Sequence, residues 1–186
     1  AKAIEIAPLE VQPNPFRSLV RAVVFQQLNG KVAEAIHTRF QSLFDGDEYP
    51  TPAQVAEVSV EAMREKGLSR PKASYIIDLA NKVQDGTLQL DTLDEMTDDE
   101  VRVAITQVKG FGVWSADMFL MFTLHRPDVW PTFDLGIRNA YGKLAGMEAS
   151  PKPKDLESLG DCYRPYRTLA SILLWRSLDP SIQLVS

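Results

Sequence analysis

Gly110-Phe111-Gly112 is the strongest constraint in this sequence, because it sets two glycines one residue apart between two runs with helical apolar spacing. The incoming run opens at Thr97-Asp98-Asp99-Glu100, where a threonine followed three residues later by a glutamate can satisfy two unpaired N–H groups reciprocally. It continues through Val101, Ile105 and Val108 at helical spacing. Paired glycines permit positive φ and leave the backbone uncovered, so the helix must stop there. Phe111 is placed to plug the space between the helices. A second helix is expected near Val113, running through Trp114, Met118, Met121 and Phe122.

A hairpin of this kind offers N–H donors at a helix start, where partial positive charge favours an anion such as a DNA phosphate. Contacts to phosphate position a protein on DNA without reading its sequence. A lone GxG is more often a tight link between packed helices, and the downstream segment changes that balance. Asp134 lies in Pro131-Thr132-Phe133-Asp134-Leu135-Gly136-Ile137-Arg138, which reads as another helix start with Thr132 as its cap. Position alone would make Asp134 a first-turn acid that helps the helix begin.

Residues 108–138 resemble the helix-hairpin-helix DNA glycosylases, with Gly110, Gly112 and Asp134 in the hairpin and aspartate positions. Three further stretches are similar to the alkyl-base branch, that of 3-methyladenine DNA glycosylase II. They are Phe25-Gln26-Gln27-Leu28-Asn29-Gly30-Lys31, Gly67-Leu68-Ser69-Arg70-Pro71-Lys72-Ala73, and Arg164-Pro165-Tyr166-Arg167 followed by Trp175. Together they run in order across roughly residues 15–178. The resemblance implies an all-α fold of two helical subdomains with the active cleft between them. The expected seam places residues 30–132 in a central bundle ending in the hairpin, and 1–29 plus 133–186 in the second subdomain. Helices are expected near 15–28, 30–44, 52–66, 70–84, 98–109, 113–124, 133–144, 153–162 and 165–178.

The same resemblance implies residue roles. Asp134 would be the catalytic carboxylate. Trp114, Met118 and Trp175 would form the base pocket, Trp175 being otherwise a core tryptophan of an apolar helix. Gln27 or Leu28 would be the wedge that fills the vacated stack: alignment favours the first and wedge chemistry the second. Lys109, Gly110, Phe111 and Gly112 would meet DNA phosphate. Glycosylases that also cut the strand carry a lysine where this chain has Trp114, and an indole cannot form a Schiff base. The expected activity is therefore monofunctional, excising alkylated bases of the 3-methyladenine and 7-methylguanine type and leaving an abasic site. Such bases already carry positive charge and leave without a general acid, so one carboxylate suffices. A non-catalytic DNA-binding module and a glycosylase for oxidised or mismatched bases are the alternatives.

Composition refines the expectations. The 186 residues are 45% hydrophobic, enough for a real core, and the net charge of −5 runs against a nucleic-acid partner. Acid is concentrated at Asp85, Asp91, Asp94, Glu95, Asp98, Asp99 and Glu100, which can face away from DNA. Arg64, Lys66, Arg70 and Lys72 form a basic cluster whose default reading is a solvated helix face. Cys162 is the only cysteine, so neither an internal disulfide nor a four-cysteine iron–sulfur cluster is possible, and His37 and His125 are not at ligand spacing. No cofactor and no side-chain metal site are expected, although a sodium or potassium ion at hairpin carbonyls is consistent with the family. The partner expected is double-stranded DNA with damaged bases, bound by a monomer. No signal peptide or membrane span is visible, which implies an intracellular setting, nuclear or nucleoid according to the cell.

Overall fold

The computed structural model describes residues 14–178, and every regular element among them is helical. Residues 1–13 and 179–186 lie outside the described residues. No helix among the described residues is long and apolar enough to cross a membrane.

One compact unit runs to residue 119. It holds α1 (Pro15–Phe25), α2 (Gly30–Gln41), α3 (Pro52–Ala56), α4 (Val60–Glu65), α5 (Arg70–Gln84), α6 (Asp98–Thr106) and most of α7 (Val113–Phe122). The helix starts have local causes. Asn14, Asn29, Thr51, Ser59, Ser69 and Thr97 each place a side-chain oxygen on a first-turn N–H. Those donors have no preceding turn to bond to. The reciprocal cap expected at Thr97 is present, with Thr97 N donating to Glu100 Oε2 at 2.8 Å and Glu100 N to Thr97 Oγ1 at 3.3 Å. α5 packs against α1, α3 and α4, and buries Ala73, Ile76, Leu79 and Ala80 in doing so.

The second unit continues from residue 120 through the end of α7, then α8 (Leu135–Leu144), α9 (Pro153–Leu159) and α10 (Arg167–Arg176). Trp130, Ile137, Ala140, Leu156 and Leu174 form its core. The Trp130 indole donates to the Leu156 carbonyl at 2.8 Å, and its ring lies so close to Gly160 that no Cβ fits there.

Two helix expectations are corrected. The helix expected over 52–66 is two, because Ser59 leaves the first and caps the second through its hydroxyl on Ala62 N. α1 ends at Phe25 rather than at 28, since Gln26 turns extended with ψ 126° and Gln27 takes a left-handed φ of 56°. The two compact units divide between 119 and 120, where the expected seam lay at 30 and 132. The apolar face of α1, made by Phe16, Leu19, Val20, Val23 and Val24, is buried where α1 packs on α2 and α5.

Candidate active site

The hairpin is built as the two glycines require, but they do different work. Gly110 has φ +80° and the Tyr75 ring of α5 fills the place where a Cβ would go. Gly112 has ordinary φ and open space where its Cβ would project. Phe111 is 6% exposed and plugs the interior, as expected. Across the hairpin, Arg102 Nε on α6 donates to the buried carboxylate of Asp117 on α7 at 2.8 Å. This ion pair was not foreseen: Asp117 sits in an apolar run, and nothing local marks its partner fifteen residues earlier.

Lys109 is engaged through its backbone as well as its side chain. Its backbone N–H already donates to Asp78 Oδ2 at 2.9 Å, so a phosphate contact from this residue falls to the ammonium, whose side chain is 72% exposed. Asp78 is also held by Lys82 Nζ at 2.7 Å. Burial pushes the Asp78 carboxyl up, but the hydrogen bonds from Lys82 and the Lys109 backbone outweigh it and hold the group below the usual carboxylate range. Hairpin carbonyls are partly engaged as well. Val108 O accepts from Phe111 N at 3.1 Å, and Gly110 O accepts from Gln26 Nε2 at 3.1 Å. Among the described residues no side-chain cluster suits a metal ion, so a cation at the hairpin would rest on the second lone pairs of such carbonyls.

In the loop between α1 and α2, Gln27 and Leu28 are both exposed at the tip, Leu28 by 40%. Behind them the loop is fixed. Asn29 caps α2 through Lys31 N at 3.0 Å, and Lys72 Nζ donates to Val24 O at 2.8 Å and Gln26 O at 2.7 Å. Lys72 is thus no solvated cation, contrary to expectation. Burial lowers its pKa. Trp114 and Met118 lie one turn apart on α7, each half-buried.

Asp134 is itself the cap of α8, and Thr132 is buried behind it rather than capping. Its Oδ1 accepts from Ile137 N at 2.8 Å and from the Trp175 indole N–H at 2.9 Å. Trp175 stacks on Phe122 with centroids 5.9 Å apart. Gly136 completes the arrangement, because a Cβ there would lie 3.0 Å from Asp134 Oδ1 and 3.1 Å from the Trp175 ring. Asp134 is 9% exposed, while its neighbours Phe133 and Leu135 are 58% and 60% exposed. Trp175 is therefore a partner of Asp134 as well as a packed indole.

The segment leading to Asp134 is gripped by the start of α10. Arg167 donates through Nε to Asp128 Oδ1 at 2.7 Å and through Nη2 to Asp128 Oδ2 at 2.9 Å. Thr168 Oγ1 donates to Arg126 O at 2.6 Å and accepts from Val129 N at 3.0 Å. The Arg167 guanidinium holds the Asp128 carboxyl below its ordinary range. One helix thereby fixes both the approach to Asp134, through Arg167 and Thr168, and the carboxylate itself, through Trp175.

Comparison with known proteins adds to this geometry. Residues 20–164 match the family described as HhH-GPD superfamily base excision DNA repair protein. The chain is 34% identical over 164 residues to DNA-3-methyladenine glycosylase 1 of Schizosaccharomyces pombe, covering 88% of this chain and 72% of that one. In structure it is similar to a 3-methyladenine DNA glycosylase of Schizosaccharomyces pombe in complex with abasic DNA, with TM-score 0.85, 31% identity, and coverage of 94% of this chain and 85% of that one. A DNA-3-methyladenine glycosidase from Bacillus halodurans gives TM-score 0.81 at 36% identity, covering 92% and 78%.

Proposed function

The chain belongs to the HhH-GPD superfamily of base excision DNA repair proteins, and from that premise we propose that it is a monofunctional glycosylase that hydrolyses the N-glycosidic bond of alkylated bases in double-stranded DNA. The observation that carries this reading is the Asp134 carboxylate, held at the start of α8 by the Ile137 N–H and the Trp175 indole. Two donors on one oxygen fix the direction of the group before substrate arrives, so no reorganisation is needed during reaction.

The chemistry follows from the substrate. An N3- or N7-alkylated purine bears positive charge, so its bond to C1′ breaks heterolytically and the electron pair leaves with the base. The sugar becomes an oxocarbenium-like cation. Asp134 stabilises that cation and accepts a proton from the water whose oxygen bonds to C1′. The product is a free base and an intact strand with an abasic site. The target must first leave the stack, at a cost that damaged pairing lowers.

Trp114, Met118 and Trp175 are the residues we assign to the extruded base, the indoles offering a π face to a cation. Gln27 and Leu28 supply the wedge. The Lys109 ammonium and the open backbone at Gly112 serve the phosphates. We also assign a sodium or potassium ion to the hairpin carbonyls, and a monomer as the working form. The relatives' names support alkylated bases over oxidised ones, and so does the indole at position 114.

The test is base release over a panel of duplexes bearing methylated, deaminated and oxidised purines, with Asp134→Asn alongside. Release of methylated purines by the wild type and its loss in the variant is the expected result. Release confined to oxidised bases, or equal in the variant, overturns the reading.

A further inference from the structure

α5 carries three residues on one stripe, Lys72, Tyr75 and Asp78, and each holds a different piece of the elements assigned above to DNA. Their spacing of three residues keeps them within about a third of the helix circumference. Lys72 reaches back to Val24 O and Gln26 O. Tyr75 fills the space beside Gly110. Asp78 takes the N–H of Lys109. A fourth link closes the ring, as Gln26 Nε2 donates to Gly110 O at 3.1 Å.

The placement of Lys72 is informative. It stands in the first turn of α5, where the helix field disfavours a cation. Two carbonyls at the C-terminal end of α1, where the field favours one, compensate for that position. The two bonds hold the last turn of α1 immediately before Gln27, whose left-handed φ of 56° directs the exposed tip. The loop is thereby stiff underneath and bare on top.

We propose that Lys72, with Tyr75 and Asp78, is a positioning device that fixes the Gln27-Leu28 tip against the Gly110-Phe111-Gly112 hairpin, so that the wedge and the phosphate grip act on a duplex as one rigid tool. This rests on the glycosylase reading given above. A wedge that moved independently of the phosphate grip would yield instead of prising a paired base out. The requirement for Lys72 therefore scales with how firmly the target base is paired, which a residue needed only for folding would not show.

The experiment compares single-turnover release of one methylated purine, set either opposite its normal partner or inside a short run of unpaired bases. Wild-type protein releases the base from both. If it releases from neither, the glycosylase reading fails, and that outcome is distinct from the ones below. Lys72→Met is expected to slow release from the paired duplex at least tenfold while staying within threefold of wild type on the unpaired one, and Lys72→Arg recovers part of the loss. Where thermal melting shows that Lys72→Met does not fold, Gln26→Leu decides the matter, since it removes only the link to Gly110, and the same split is expected. Equal loss on both duplexes, or no loss on either, overturns the proposal.

Discussion

The indole N–H of Trp175 donates to Oδ1 of Asp134 at 2.9 Å, so a tryptophan near the C-terminal end of α10 orients a carboxylate that caps α8. A hydrogen bond to a charged acceptor contributes about 1.5 to 3 kcal/mol. Trp175→Phe retains an aromatic ring against Phe122 but removes the donor, so base release should fall roughly tenfold to a hundredfold. Asp134→Asn keeps an oxygen for Ile137 N and should fold normally, yet lose about a hundredfold or more in release while binding lesion duplex unchanged. Single-turnover kinetics together with a binding isotherm separate the two. Release by Asp134→Asn within a few-fold of wild type would remove Asp134 from the mechanism.

The hairpin glycines should part company under substitution. Gly110→Ala places a methyl group against Tyr75 at φ +80°, and should destabilise the protein by about 2 kcal/mol or more. Gly112→Ala meets open space and should stay within about 0.5 kcal/mol of wild type. It should nonetheless weaken binding to all duplexes alike, because phosphate contacts carry no sequence information. Urea titration and a binding series over unrelated duplexes check both claims.

Trp114 leaves no amine at the position used by strand-cutting relatives, so borohydride should trap no protein–DNA adduct and the product strand should stay intact without alkali. The lysines nearest in sequence to Trp114 and Asp134 are Lys109 beside the hairpin and Lys143 in the last turn of α8, and an adduct that disappears in Lys109→Ala or Lys143→Ala would identify that lysine as a nucleophile. One that survives both would show that another amine does lyase chemistry.

His37 gives a pH dependence whose sign is fixed. Its ring is buried and paired with Tyr49 OH at 3.1 Å, and burial is the main cause that lowers its pKa from 6.5 to about 4. Glu34 opposes the shift, while Arg21 and Arg17 add to it. A depressed folded pKa means that the unfolded chain takes up a proton first. The stabilisation is thus complete above about pH 6.5 and is lost as pH falls toward 4. Between pH 7 and 4.5 the loss should be about 2 kcal/mol, and His37→Phe should lack that part of the slope. Parallel slopes in urea titrations of the two proteins would refute it.

Local signals carried most of the fold. α5 was legible to the residue because Ser69 caps it and Pro71 sits in its first turn, and α6 because Thr97 and Glu100 announce its start. Ends were less legible. Among the described residues α1 gave no warning of stopping at Phe25, since Gln26 and Gln27 are ordinary helix formers forced out by the loop. In the site, Gly110 stood out by its place between two helical runs, whereas Asp134 and Trp175 were singled out through the family resemblance. What escaped was pairing across the chain: Lys72 with the carbonyls of α1, Asp78 with Lys109 N, Arg167 with Asp128. A sequence displays a charged residue but not the acceptor that folding brings to it.

The capping role of Asp134 also limits how this chain can drift. The carboxyl group assigned to the sugar cation also receives a first-turn N–H of α8, that of Ile137, so replacing the acid with an aliphatic residue would fray a helix as well as remove the proposed catalytic group, at about 1 kcal/mol for the lost cap alone. Retirement from catalysis has narrow exits: asparagine, serine or threonine at 134 would preserve the helix start. A descendant that had become a passive DNA clamp would be recognisable by one of those residues, with the tryptophan behind it still in place.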